Sequence, residues 1–372
     1  MTAEKISELL KEKNVDAALV SSPANIRYLS GFAGTESYLY LTPERKVILT
    51  DSRYTLQAEE EGKECEVQTM SRERSYGVML GELLREDGVE RLGFEENAML
   101  YGTWNSLWKK SGFGPEHWFM LGDSLSELRV MKNEQELQWM EKAESIGDAA
   151  FSYILGELKA GVTELEIAAK LEYYMRSHGA EGTSFDTIVA SGYHSAMPHA
   201  VPSEKKLEPG DFVTMDFGCR YHGYCSDMTR TVVIGKASER QKEVYNVVLK
   251  AQLTALKGLR PGMLCKEGDR LARDVIEKAG YGQYFGHSLG HSVGLEIHEK
   301  PALSPKDGHV LRPGMIETVE PGIYIPDFGG VRIEDMVVLT ENGVRNLTHS
   351  PKELIEDRKS TRLNSSHYSR SR

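Results

Sequence analysis

A chain of 372 residues with 40% hydrophobic and 27% charged residues is sized for two globular domains, each able to bury a core. Its net charge of -11 argues against nucleic acid or an anionic membrane surface as the main partner, and no apolar run is long enough to span a bilayer. Cys65, Cys219, Cys225 and Cys265 lack zinc-ribbon spacing, and the opening residues lack the apolar core of a signal peptide, so a reducing cytoplasm is the expected compartment.

The first stretch alternates helix and strand signals. A helix over roughly 3–13 leads into an apolar strand at 17–20. Ser37-Tyr-Leu-Tyr-Leu41 and Lys46-Val-Ile-Leu-Thr50 flank Pro43-Glu-Arg45 and read as a hairpin. Helices near 52–62, 75–86 and 123–131 alternate with strands near 65–70, 91–94 and 117–121. Residues 1–131 therefore read as an α/β domain with a mixed sheet and no Gly-rich phosphate loop. Trp104 and Trp108, four apart on a predicted helix, read as core or subunit contact.

A different regime starts near Glu134 and covers residues 132–356. A long helix predicted through Lys159 is followed by Gly161, a capping box of Thr163 and Glu166, a second helix and Gly179. The same plan recurs from Glu239 with Gly262 and Gly280. Both glycine pairs are 18 apart and the copies are offset by 101 residues. Acids repeat with the helices. Asp216 stands six past Gly210 and Asp227 eleven further on; Glu320 stands six past Gly314 and Glu334 fourteen further on. This pattern predicts an α+β domain from an internal duplication, each half two helices and an antiparallel hairpin. Both hairpins are expected in one curved sheet, with helices covering one face.

Strand alternation puts Phe212, Thr214 and Asp216 on one face, and Asp227, Thr229 and Thr231 on one face of the partner strand. Four crowded carboxylates would raise one another's pKa values, and a pair of divalent cations removes that conflict. Oxygen ligation completed by one imidazole suits manganese, with cobalt or zinc as substitutes. Cys225, two before Asp227, reads as packed and inert.

Residues 185–192, Pro198-His199, the Asp216/Asp227 hairpin with Thr229-Arg-Thr231, Gly290-His-Ser-Val-Gly294, Val319-Glu-Pro-Gly322 and Val331-Arg-Ile-Glu-Asp335 together resemble the Xaa-Pro peptidases of the creatinase/aminopeptidase P/prolidase group. The resemblance covers essentially residues 1–355 and implies a creatinase/prolidase-type N-terminal α/β domain and a C-terminal "pita-bread" catalytic domain. It implies a dinuclear metal centre held by Asp216, Asp227, His291, Glu320 and Glu334, with Glu320 doubling as proton shuttle. His199 and His298 match positions that stabilise the tetrahedral intermediate, while His287, Arg332 and Tyr324 match substrate-pocket positions. For Arg332 an ion pair holding the strand of Glu334 is the competing reading, and for Tyr324 a place in the core. Tyr193 and His194 stand near the site in sequence with roles left open.

The implied reaction is removal of an N-terminal residue from proline by a metal-bound hydroxide, an Xaa-Pro aminopeptidase. The alternative is a prolidase limited to Xaa-Pro dipeptides. Creatine hydrolysis and a catalytically dead binding module on the same fold are more distant readings, disfavoured by the intact ligand set. A homodimer or homotetramer is implied, without nucleic-acid or membrane partners. Residues 357–372 form a basic, aperiodic tail in which Asp357-Arg-Lys-Ser-Thr-Arg-Leu-Asn-Ser-Ser-His367 resembles the translation of a sequencing-adapter oligonucleotide, so this segment is expected to be non-native.

Overall fold

The computed structural model describes residues 3–62 and 64–356; the adapter-like tail lies outside the described residues. The chain divides into two compact units between Arg129 and Val130. An isolated bridge between Met131 and Met315, with Lys132 N donating to the Gly314 carbonyl at 2.9 Å, ties residues 131 and 132 into the second unit.

In the first unit β1 (Ala17–Val20), β2 (Ser37–Leu41), β3 (Lys46–Thr50), β4 (Glu66–Thr69), β5 (Leu92–Phe94) and β6 (Trp118–Met120) form one sheet in the order β4-β3-β2-β1-β5-β6. Pairing is antiparallel along β1, β2 and β3 and parallel outside them, the expected mixed sheet. Helices α1 (Ala3–Glu12), α2 (Pro23–Ser30), α3 (Thr55–Glu61), α4 (Tyr76–Glu86), α5 (Tyr101–Ser111) and α6 (Ser124–Glu127) connect the strands. Both faces of the sheet are covered, which is why β1 reads Ala-Ala-Leu-Val with every residue buried. Helix α2 was not legible from periodicity. Its local signals are Ser22, whose side chain caps the Asn25 N–H, and Pro23 in the first turn. The stretch expected at 123–131 is helical only over Ser124–Glu127.

The second unit carries the duplication. Helices α7 (Glu134–Ile154) and α8 (Glu164–Ser177) precede the first hairpin, and α9 (Glu239–Gly258) and α10 (Cys265–Lys278) the second. Capping boxes close α7 (Asn133 with Glu136), α8 (Thr163 with Glu166) and α9 (Ser238 with Gln241). Helix α7 stops at Ile154, short of the expected Lys159. In chain order the strands are β7 (Gly182–Thr183), β8 (Ile188–Ser191), β9 (Phe212–Phe217), β10 (Cys219–Tyr221), β11 (Tyr224–Cys225), β12 (Met228–Val233), β13 (Gly290–Ser292), β14 (Glu299–Leu303), β15 (Ile316–Val319), β16 (Gly322–Ile325), β17 (Gly329–Arg332), β18 (Asp335–Thr340) and β19 (Gly343–Asn346).

These strands pair in short antiparallel ladders, among them β12-β9-β8, β15-β18-β19 and β16-β17, rather than in one unbroken sheet. The two hairpins meet where Glu334 N donates to the Thr229 carbonyl at 3.1 Å and Arg332 N to Thr231 Oγ1 at 3.2 Å. Alternation then divides the side chains. Val213, Met215 and Phe217 pack with Ile146, Phe151, Leu171 and Met175 from α7 and α8, while Thr214 and Asp216 point the other way. In the second half Val319, Val337 and Leu339 pack with Val244, Val248, Ala272 and Ile276, leaving Thr318 and Glu320 on the opposite face. Each such buried aliphatic or aromatic side chain contributes roughly 1.5–3 kcal/mol. Apolar residues on one face thus hold a polar set on the other.

Candidate metal centre

The register of each hairpin decides how its carboxylates meet. In β9 and β12, Asp216 lies opposite Thr229, so Asp227 is its diagonal neighbour on the same face. In β15 and β18, Val319 lies opposite Asp335, which sets Glu320 against Glu334 one position beyond the ladder. His291 reaches the cluster from β13. A Cβ on Gly290 would lie 1.9 Å from the Thr318 carbonyl oxygen, so only glycine lets this strand approach β15 so closely. His291 N then donates to Thr318 Oγ1 at 3.0 Å, and that hydroxyl donates to Glu320 Oε1 at 3.1 Å.

His291 Nε2 lies 3.6 Å from Asp227 Oδ2 and 3.4 Å from Glu320 Oε1. Ligating atoms of Asp227, His291 and Glu334 all fall within 4.8 Å of one another. Burial, reinforced by the mutual repulsion of the carboxylates, pushes the Asp227 and Glu334 carboxyls well above the usual range. Burial likewise raises Glu320 to about 8, with Arg332 opposing it. His291 is lowered to about 4 by burial and by neighbouring His298, which leaves a neutral imidazole with a lone pair for a cation. Asp216 Oδ1 is buried with no hydrogen-bond partner among the described residues. An orphaned oxygen, crowded carboxylates and a neutral imidazole fit a centre of divalent cations.

The cluster lines a cavity of about 500 Å³. Asp216, Asp227, His291, Glu320 and Glu334 are all on its wall, as are His199, His287, His298 and Arg332. His298 packs edge-on against His291, with ring centroids 4.5 Å apart. Tyr324, expected among the substrate contacts, is not on that wall. Its ring is buried, and its hydroxyl accepts from Arg332 Nη1 at 2.7 Å and lies 2.9 Å from His287 Nε2. Tyr324 is therefore hydrogen-bonded to two wall residues. Arg332 is also committed inside the protein: Nη2 donates to Asp216 Oδ2 at 2.6 Å and Nε to Thr229 Oγ1 at 2.9 Å. Its ion pair ties the segment that carries Glu334 to the hairpin of the first half. His194 pairs with buried Glu164 at 3.1 Å, Tyr193 is exposed, and neither lines the cavity. The Cys225 thiol is buried and raised to about 12 by that burial, in keeping with a packed, inert residue.

Supporting groups were missed in the sequence. Thr229 Oγ1 donates to Glu334 Oε2 at 2.6 Å, and Glu144 of α7 accepts from Asp227 N at 3.3 Å. Behind the wall, Lys132 Nζ pairs with Glu299 Oε2 at 3.0 Å, and Glu299 adjoins His298. Thr229 sits inside a quoted motif and was within reach. Lys132 and Glu299 lie 167 residues apart and carry no local signal.

Four carboxylates and an imidazole converging on one cavity are the donor set of a metal-dependent hydrolase. The chain belongs to metallopeptidase family M24, whose profile matches residues 138–341, and the creatinase/prolidase N-terminal domain matches residues 3–130. It is 41% identical over 353 residues to an Xaa-Pro dipeptidase of Pyrococcus horikoshii, an alignment covering 95% of this chain and 98% of the relative. Among solved structures, an Xaa-Pro dipeptidase from Bacillus anthracis matches with a TM-score of 0.91 and 42% identity, covering 95% of this chain and 98% of that one. An X-Pro aminopeptidase from Thermotoga maritima MSB8 matches with a TM-score of 0.87 and 38% identity, covering 94% and 100%. The creatinase-type N-terminal domain and pita-bread catalytic domain follow from these matches. Among the described residues no helix is long and apolar enough to cross a membrane.

Proposed function

We propose that this metallopeptidase is an Xaa-Pro dipeptidase. This reverses the preference for an aminopeptidase drawn from sequence motifs. The observation that carries a proline-directed metallohydrolase is the convergence of Asp216, Asp227, His291, Glu320 and Glu334 on the wall of one cavity. The dipeptidase reading draws its support from the relatives at 41% and 42% identity, both Xaa-Pro dipeptidases.

The five residues would hold two divalent cations, with manganese best suited to an oxygen-rich set completed by imidazole. Such a pair supplies Lewis acidity and a water ionised near neutral pH. The protein's own groups do the rest. Glu320, steadied by the Thr318 hydroxyl, takes the proton of the attacking water and delivers it to the proline nitrogen as the bond breaks. His298 and His199, both on the wall, donate to the oxyanion of the tetrahedral intermediate. Arg332 and Tyr324 hold Asp216 and His287 in place. The first unit exposes Leu100, Tyr101 and Met120, which supports self-association as its role, measurable by sedimentation.

The test compares Leu-Pro with Leu-Pro-Ala on the manganese-loaded protein. A dipeptidase cleaves the first at least about tenfold faster, a discrimination within reach of a site built around the substrate carboxylate. Faster cleavage of the tripeptide establishes the second reading, an Xaa-Pro aminopeptidase, which the Thermotoga maritima match favours. Cleavage of neither removes the proline-directed reading.

A further inference from the structure

The cavity wall contains one carboxylate that the proposed metal centre does not use. Asp186 lies on the segment leading into β8 and lines the cavity together with Asp216. Ile188 is the cross-strand partner of Asp216, and Asp186 precedes it by two residues, just outside β8. Thr187, between them, is buried. Unlike the four carboxylates of the cluster, Asp186 is exposed, and no hydrogen bond or ion pair engages it among the described residues. Phe185, Ile188 and Ile297, each partly buried, line the same cavity.

We propose that Asp186 is a specificity determinant which makes the site prefer Xaa residues bearing a cation, so that Lys-Pro and Arg-Pro are favoured over uncharged dipeptides of equal length. The inference rests on the Xaa-Pro reading above and names its substrate class. Reach decides which cation Asp186 meets. The α-ammonium of a dipeptide is two bonds from the scissile carbonyl carbon, so it stays beside the cluster. Asp186 lines the same cavity but is not among the ligating groups that converge there. A lysine stem of four carbons extends beyond the α-ammonium, lying on Phe185, Ile188 and Ile297 with its ammonium delivered to the carboxylate. The cationic groups on the wall do not compete for Asp186, because Arg332 is spent on Asp216, Thr229 and Tyr324, and His287 lies against Tyr324. The remaining wall imidazoles, His199 and His298, have no contact with Asp186.

The experiment measures kcat/KM for Lys-Pro, norleucine-Pro and Glu-Pro on the manganese-loaded wild type, Asp186→Asn and Asp186→Lys. Norleucine matches lysine in length without its charge, and the Lys-Pro to norleucine-Pro ratio cancels any loss of folded or loaded enzyme. That ratio is expected to fall about fivefold in Asp186→Asn, the scale of one partly exposed ion pair. In Asp186→Lys the order inverts and Glu-Pro overtakes Lys-Pro. Ratios equal in wild type and Asp186→Asn overturn the proposal while leaving the peptidase reading intact. Failure of the wild type to hydrolyse all three substrates removes the Xaa-Pro reading, and this inference with it.

Discussion

Replacing Lys132 with methionine isolates the buried ion pair behind the site. Lys132 Nζ and Glu299 Oε2 are 3.0 Å apart, with side-chain exposures of 1% and 5%. At an effective dielectric of about 20, Coulomb's law gives an attraction of about 5 kcal/mol, most of it offset by the desolvation of both groups. Lys132→Met keeps the desolvation of Glu299 and removes the attraction. The expected loss is therefore about 3–5 kcal/mol of unfolding free energy. The double variant Lys132→Met, Glu299→Met removes both charges and is expected to recover most of that loss, because a well-packed apolar pair replaces a buried ionic one. Urea denaturation of the metal-free protein, read from midpoint and slope, measures both effects. A single variant costing under about 1 kcal/mol, or a double variant no better than the single, refutes the reasoning.

The metal centre has its own pH signature. Glu320 is raised from 4.5 to about 8, and Asp227 and Glu334 are raised too, chiefly by burial, so the folded metal-free protein retains protons that the unfolded chain releases. Its stability is expected to fall as pH rises from 4.5 through 8, while manganese affinity grows over that window with release of protons measurable by calorimetry in two buffers. A melting temperature of the metal-free protein that rises across the window contradicts this. Glu144, fully buried and raised by that burial to about 8, adds to the same decline, and Glu144→Gln is expected to flatten the stability profile between pH 4.5 and 8 by up to about 1.4 kcal/mol per pH unit. Identical profiles for wild type and variant exclude that contribution. Arg332→Lys exchanges three directed nitrogens, on Thr229, Tyr324 and Asp216, for one ammonium. A fall in kcat/KM of about 10- to 100-fold with weaker manganese binding is expected, and a change under about threefold counts against a positioning role.

Local chemistry made much of this legible beforehand. Helix caps, strand alternation and the paired glycines act within a few residues of one another, so the α/β unit, the duplicated halves and the four spaced acids stand in the chain itself. Spacing, however, says nothing about which strands neighbour each other once the halves pack. The placing of Glu320 opposite Glu334 follows from the pairing of Val319 with Asp335, and the Thr318 hydroxyl between His291 and Glu320 depends on the close approach at Gly290. The tie from Arg332 to Asp216 spans 116 residues and that from Lys132 to Glu299 spans 167. The Tyr324 hydroxyl likewise meets Arg332 and His287, partners selected by packing. Short-range preferences are written residue by residue, whereas the pairing of buried charges is settled by the core that removes water from around them.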